Sequence, residues 1–441
     1  MKFDRIDKVL RATVLLLALS APSAGLAKLT IEITGGAGSG IPIAVVPFKW
    51  SGEGSSPEDI GAIVAADLYR SGRFDLKPPS DFLSRPSQES EVRYKDWRLI
   101  KAETIVVGAI TRSGEDEFDV NFQLLDVYRE KIKIGLKFTV SEGQLRQVAH
   151  QISDRIFDEM TGIEGAFNTR IAYVTMKQKE NGDRLYELMV ADSDGHNPQQ
   201  ILQTTNLPVL SPSWSPNGRD LAYVSFADGR SGANVWIQNI ESGNRRPVAR
   251  FDGNASAPAW SPDGRALALT VSSAGNTDIY ILQVASLEIR RITKSLAIDT
   301  EPAWAPDGSH LVFTSDRSGR PHIYRVNTDG GQIRRLTMEG KENAAASYDP
   351  RGERLVLVTN RGKGAGYQIG VFYPSDGRTD VLTEGTLDES PTFSPNGAMI
   401  LYATKMGREG VLAAVSADGR VRQILKLHEG DVREPAWSAS R

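Results

Sequence analysis

PAWSPDGRALALTV (258–271) is the stretch that decides the fold. An aromatic is followed by Ser-Pro-Asp-Gly and then by alternating apolar residues. Proline presets φ, aspartate tolerates turn geometry, and Gly264 can take a positive φ, so the tetrapeptide makes a tight reversal between two antiparallel strands. Variants of the same unit recur as PSWSPNGRDLAYVS (212–225), PAWAPDGSHLVFTS (302–315), ASYDPRGERLVLVT (346–359) and PTFSPNGAMILYAT (391–404). The chain ends on PAWSASR (435–441), the opening of one more copy. The aromatics Trp214, Trp260, Trp304, Tyr348, Phe393 and Trp437 are separated by 46, 44, 44, 45 and 44 residues. A period of this length with four short strands per unit predicts β-propeller blades.

The rest of each unit fits that reading. NVWIQN, DIYILQV and HIYRVN supply third strands, and turns such as Thr328-Asp329-Gly330 lead into fourth strands such as RRLTM. The arginine pairs 245–246, 290–291 and 334–335 open those outermost strands, where charge protects a sheet edge from pairing with other chains. The aromatic column reads as packing between blades. Each full unit places a second-strand residue nine beyond its aromatic, and Trp437 would need position 446, which the chain lacks. Conversely, RIAYVT (170–175) copies a second strand with no aromatic turn before it. The expectation is six blades, five continuous and one assembled from both ends of the region 166–441.

Residues 41–165 lie outside the repeat and read as a small α/β domain. IPIAVVPF (41–48) is a strand, and Ser56 with Pro57 opens a helix carrying Ile60, Ile63, Val64 and Leu68 that stops near Gly72. TIVVGAITR, FDVNFQLLDV and IKIGLKFTV read as strands. Ser141 and Gln144 form a capping box for a helix with Leu145, Val148, Ile152 and Ile156 on one face. The fold class is thus an α/β N-terminal domain followed by an all-β six-bladed propeller.

Ahead of both lies KLTIEITGGAGSG (28–40), an alternating strand with a glycine-rich tail. GGAGSG matches no phosphate-binding pattern and precedes a strand, so nucleotide binding is set aside. An arm able to add as a strand, to a partner or to its own chain, is the sharper reading. Residues 1–27 carry Lys2, Arg5, Lys8 and Arg11, then the apolar run Ala12–Leu19, then Gly25 and Ala27 before a cleavage point. That is the order of a secretory signal peptide, too short in its apolar core for a spanning helix. Removing it takes away four Lys/Arg and two Asp, moving the net charge from −3 to −5. Such a balance recruits neither nucleic acid nor an anionic membrane.

Composition excludes further classes. With no cysteine there are no disulfides, zinc–thiolate sites, thiol nucleophiles or lipidated N-terminal cysteine. No G-x-S-x-G and no H-E-x-x-H occurs, and His150, His196, His310, His322 and His428 are scattered. Inward carboxylates near the first strands (Asp299, Glu301, Asp388, Glu389 and Glu434) are the candidates for a channel metal, either one calcium ion or the centre of a propeller hydrolase. Solvated carboxylates with no cofactor are the preferred reading. The loops joining one blade to the next collect around the channel mouth. Asn254, Ala257, Thr300, Glu301, Asn343, Asp388 and Glu389 fall there, on a natural protein-docking rim.

Together GSGIPIAVVPF, PEDIGAIVAADLYRSGRF, TGIEGAFNTRIAYV, TEPAW, FTSDRSGRP and LDESP, beside the WSPDG repeats, resemble one family, TolB, the periplasmic component of the Gram-negative Tol–Pal system. The resemblance spans nearly all of the chain after residue 27 and implies a non-enzymatic adaptor. It implies that the rim residues above face the lipoprotein Pal, with Asn254, Ala257, Thr300 and Glu301 placed in Pal-facing loops. It implies that the arm, through Lys28, Leu29, Thr30, Ile31, Glu32 and Ile33, engages TolA, and that Pal binding changes whether the arm is free. Export to the periplasm, support of outer-membrane integrity and of constriction at division, no direct membrane anchor, and further envelope partners follow from the same resemblance. The channel-metal hydrolase is the competing class.

Overall fold

The computed structural model describes residues 31–34, 40–226, 232–251, 253–273, 275–362, 364–425 and 430–441. The expected signal segment, residues 1–27, and Lys28, Leu29 and Thr30 lie outside the described residues. Six antiparallel sheets form the propeller, and a separate mixed sheet forms the α/β domain. Blades 2 to 5 are continuous, each running from the channel outward. Blade 2 begins at Val209–Trp214, blade 3 at Asn254–Trp260, blade 4 at Asp299–Trp304 and blade 5 at Glu342–Tyr348. Blade 6 runs from Glu389–Phe393 to Arg422–Leu425.

Blade 1 closes the ring. Its inner strand is Asp431–Trp437, laid antiparallel on Arg170–Gln178 with Val432 opposite Thr175, Ala436 opposite Ala172 and Trp437 opposite Ile171. The tail continues the seam. Ser438 N–H donates to the Arg170 carbonyl at 2.9 Å, and Arg170 N–H donates to Ser438 Oγ at 2.8 Å. The six blades expected from the repeat count, with one built from both ends, are what the sheets show.

The repeat chemistry is visible in the turns. In blade 3 Ser261 Oγ donates to Asp263 at 2.6 Å and accepts from Ala266 N–H at 2.9 Å, while Gly264 takes φ +70°. The aromatic column packs between blades, and it also hydrogen-bonds. The Trp260 indole donates to the Ser213 carbonyl of blade 2, Trp304 to Ala259 of blade 3, and Trp214 to Ala436 of blade 1. Each indole therefore reaches the residue before the preceding blade's aromatic. The arginine pairs act as braces rather than as a bare charged edge. Arg290 donates to the Thr328 carbonyl of the next blade at 2.6 Å, and Arg291 and Arg335 fold back onto the carbonyls of Thr293 and Thr337.

In the α/β domain the strand order is Phe74–Leu76, Ile41–Val45, Thr104–Arg112, Phe118–Asp126, Lys131–Val140. Helix α1 (Ile60–Arg70) and helix α3 (Leu145–Thr161) cover one face, burying Ile60, Val64 and Leu68 with Val148, Ile152 and Ile156. The short helix α2 (Tyr94–Leu99) covers the other with Trp97. Asp59, not Ser56, caps α1, accepting from Ala62 N–H at 3.0 Å. Ser56 sits too far upstream and donates instead to the Glu58 carbonyl.

Deleting residues 435–441 removes part of the closing strand and its seam. Losing about five sheet hydrogen bonds costs on the order of 5 kcal/mol, which lowers Tm by roughly 10 °C or more. Thermal melts of the truncated and intact chains check this, and coincident melts would contradict closure by the tail.

Candidate protein-docking site

A repeated backbone irregularity builds the channel mouth. Three residues before each aromatic stands a non-glycine with positive φ: Ser211 (52°), Ala257 (48°), Glu301 (54°), Ala345 (52°), Ser390 (53°) and Glu434 (51°). The pairing register shifts at the same place in every blade, as between Ser256 and Ala259 or Thr300 and Ala303. In five of the six blades the next residue is proline (212, 258, 302, 391, 435). Proline has no N–H for the ladder, so the strand bulges there and its side chains are re-aimed toward the channel. The resulting channel encloses about 530 Å³ and is lined by these bulges with Thr300 and Glu389.

Two carboxylates stitch neighbouring blades across those bulges. Glu301 accepts from Thr314 Oγ1 and from the Ala345 N–H of blade 5, both at 2.8 Å. Glu434 accepts from the Ser211 N–H of blade 2. Burial, reinforced by the charge of Glu389, holds the Glu434 carboxyl above its ordinary value, against the bonds from Ser211.

The seven rim positions separate into two groups. Asn254 is exposed, and Ala257, Thr300, Glu301 and Glu389 are half-buried around the channel mouth. Asn343 and Asp388 are buried and hold loops in place. The Asn343 amide bonds His322 and donates to the Glu339 carbonyl, while Asp388 accepts from Thr383 and Thr404. Asp299 is fully buried and gripped by Arg317 through both oxygens at 2.8 Å. The channel carboxylates are thus largely spent on internal bonds. Among the described residues, the one cluster of three groups able to share a metal lies elsewhere, at His150, Asp192 and Asp194.

Sequence reasoning missed the apolar part of this face. Leu296 is 100% exposed and Ile298 55%, on the loop from blade 3 to blade 4, and Met338 is 67% exposed on the next such loop. The first loop is rigidly held. Ile298 N–H donates to Asp316 at 2.8 Å, Ala297 N–H donates to Ser295 Oγ at 3.0 Å, and Asn276 donates to the Ser295 carbonyl.

The arm is a fifth strand. Ile31–Thr34 pairs antiparallel with Arg422–Leu425, the outermost strand of blade 6, with Ile31 opposite Leu425 and Thr34 opposite Arg422. Leu425 is the end of the host strand from which the chain passes to the blade 1 inner strand, so the arm strand begins on the rim side. From the same host strand, Gln423 donates to the Arg70 carbonyl at the end of α1. Arg70 itself pairs with Asp67 at 3.0 Å, donates to Ser193 of blade 1 at 3.2 Å and lies over the Phe167 ring. The α/β domain therefore rests on the face opposite the rim, where Asn396 of a blade 6 turn donates to the Glu164 carbonyl at 2.8 Å.

The junction carries its own titrating group. Asp154 on α3 accepts from the N–H groups of Phe167 at 2.7 Å and Asn168 at 3.1 Å, in the segment entering the propeller. Burial pushes its pKa up to about 6, with the charge of Asp67 adding, while the two N–H bonds pull down.

A six-bladed propeller joined to an α/β domain, with rim loops on one face and a docked N-terminal strand at one edge, defines a two-domain propeller scaffold. The description "TolB amino-terminal domain" matches residues 29–133, and "TolB beta propeller domain" matches residues 157–441. The Tol-Pal system protein TolB of Nitrosococcus oceani is 49% identical over 433 residues, covering 98% of each chain. That of Xanthomonas oryzae is 46% identical over 432 residues and 97% of each. A crystal structure of TolB from Acinetobacter baumannii superposes with a TM-score of 0.84 at 36% identity, over 93% of this chain and all of that one. The chain belongs to the TolB family of Tol-Pal system proteins. Among the described residues, no helix is long and apolar enough to cross a membrane.

The raised Asp154 value fixes a sign. The folded protein takes up a proton that the unfolded chain releases between about 6 and the ordinary 3.8, so this group's contribution to stability is present at acid pH and lost as pH rises through about 6. Relative to an Asp154→Asn variant, the native chain should gain on the order of 2–3 kcal/mol between pH 7.5 and pH 4. Urea denaturation at the two pH values checks this, and parallel profiles would contradict it.

Proposed function

We propose that this chain is a non-enzymatic periplasmic adaptor of the Tol–Pal system, exported by a signal segment removed after Ala27. It docks Pal on the channel rim and offers its N-terminal arm to TolA, supporting outer-membrane integrity and constriction at division. The observation that carries this reading is the arm. Ile31–Thr34 is held by a four-residue pairing at a sheet edge, an attachment that a competing strand can replace. The exposed aliphatics on rigid rim loops support the Pal side, because preorganised apolar side chains lose little entropy on docking. The internal engagement of Asp299, Glu301, Asp388 and Glu434 weighs against a channel hydrolase.

Deleting residues 28–40 is expected to abolish TolA binding while leaving a folded propeller, and retained TolA affinity in a titration would overturn the arm assignment. Leu296→Asp alters a fully exposed position, so its stability should stay within about 0.5 kcal/mol of the native chain. Its affinity for Pal should fall about tenfold or more, the equivalent of 1.4 kcal/mol. An unchanged Kd by calorimetry would move the contact away from this loop.

A further inference from the structure

The junction between α3 and blade 1 contains a histidine whose chemistry is incomplete. His150 is 3% exposed, and its Nδ1 lies 2.7 Å from Asp67 Oδ2. A carboxylate only accepts, so Nδ1 carries the hydrogen and donates it. Nε2 is buried without a hydrogen-bond partner and faces Asp194 Oδ2 across 3.9 Å. For a neutral ring this sets a nitrogen lone pair against a carboxylate at a buried position. Such an arrangement calls for an electropositive centre between the two.

Asp194 and Asp192 come from the turn that ends the Arg184–Asp192 strand of blade 1 and are 7% and 8% exposed. The turn is fixed by Gly195 N–H donating to the Asp192 carbonyl at 2.7 Å and by His196 N–H donating to Asp194 Oδ1 at 3.0 Å. One ligand atom from each of His150, Asp192 and Asp194 lies within 4.8 Å of the others. The Asp67–His150 pair is the carboxylate–histidine arrangement that fixes ring orientation and tautomer for metal binding through the other nitrogen.

We propose that His150 Nε2, Asp194 and Asp192 form a divalent-cation site that staples the α/β domain to blade 1. One imidazole with two carboxylates favours a borderline ion such as Zn²⁺ or Co²⁺ over Ca²⁺ or Mg²⁺, which prefer all-oxygen shells. Two arginines now neutralise the carboxylates, Arg146 on Asp194 and Arg441 on Asp192. They need not block the ion. Arg146 has a second carboxylate, Glu58, at 3.7 Å, and a cavity of about 330 Å³ beside Arg146, Gln147, His150 and Arg441 gives the guanidiniums room to swing aside. The site is separate from the channel and independent of the adaptor reading.

The test is titration of untagged, chelator-treated protein with Co²⁺, followed by visible absorption and calorimetry, with Zn²⁺ as competitor. One equivalent should bind with a ligand-field spectrum that Zn²⁺ abolishes. His150→Gln and Asp192→Asn should each weaken binding at least tenfold, and Glu434→Gln in the channel should not. Absence of stoichiometric binding below millimolar Co²⁺, or binding indifferent to both junction variants, would overturn the site. Nitrogen-15 histidine spectra of the unsubstituted protein decide the matter even where a variant folds poorly. A proton on His150 Nε2 that persists in excess Zn²⁺ would mean that a proton, not a metal, fills the gap.

Discussion

The pairing of Asp431–Trp437 with Arg170–Gln178 is the constraint on which the structure depends. Each blade buries its faces only against neighbours, so an open row of six would leave two apolar faces in water. Laying the last strand of the chain on the first of the repeat removes both ends at once. The Trp437 indole secures the seam by donating to Thr169 Oγ1 at 2.8 Å, and Trp214 of blade 2 donates to Ala436 from the other side. Unzipping blade 1 therefore also breaks the indole column and the Glu434 stitch to blade 2.

Closure also determines where function can sit. A ring forces its innermost strands together, and the prolines before the aromatics interrupt their ladders at the tightest radius. Six residues are held at positive φ there, each at a cost on the order of 1 kcal/mol. The bulged residues line the channel mouth, and the carboxylates of Glu301 and Glu434 bond the inner strand of a neighbouring blade there. At the outer circumference, blade 6 has its last strand covered by Ile31–Thr34, while the same strand touches Arg70 of the α/β domain. The arm, the host strand and the domain junction form one contiguous set of contacts.

Much of this was legible in the residues. Trp437 without a partner nine positions on, and RIAYVT without a preceding turn, specify closure, because strand pairing is periodic and a missing half must be found elsewhere. The helix positions from Ile60 to Leu68 and from Leu145 to Ile156 follow from 3.6-residue periodicity, and both face the core. What was not legible depends on tertiary neighbours. Asn343 at the start of the blade 5 inner strand and Asp388 just before that of blade 6 read as rim, yet they are consumed by His322, Thr383 and Thr404. The arginine pairs look like edge charge until the next blade brings the Thr328 carbonyl within reach. Leu296 and Ile298 carry no signal at all, since hydrophobicity alone does not say whether a loop side chain is buried or exposed. The approach of His150 to Asp194 joins positions far apart in sequence and requires both domains to be placed.

Native-state hydrogen exchange on the intact chain tests closure most directly. If the tail strand is integral to one ring, the amides of Asp431–Trp437 and Arg170–Gln178 should exchange with the same opening free energy as the inner strands of blades 3 and 4. All of them would then be exposed together in a single global unfolding event. Exchange of the blade 1 strands through a separate, lower-energy opening, with the other blades still protected, would contradict the account.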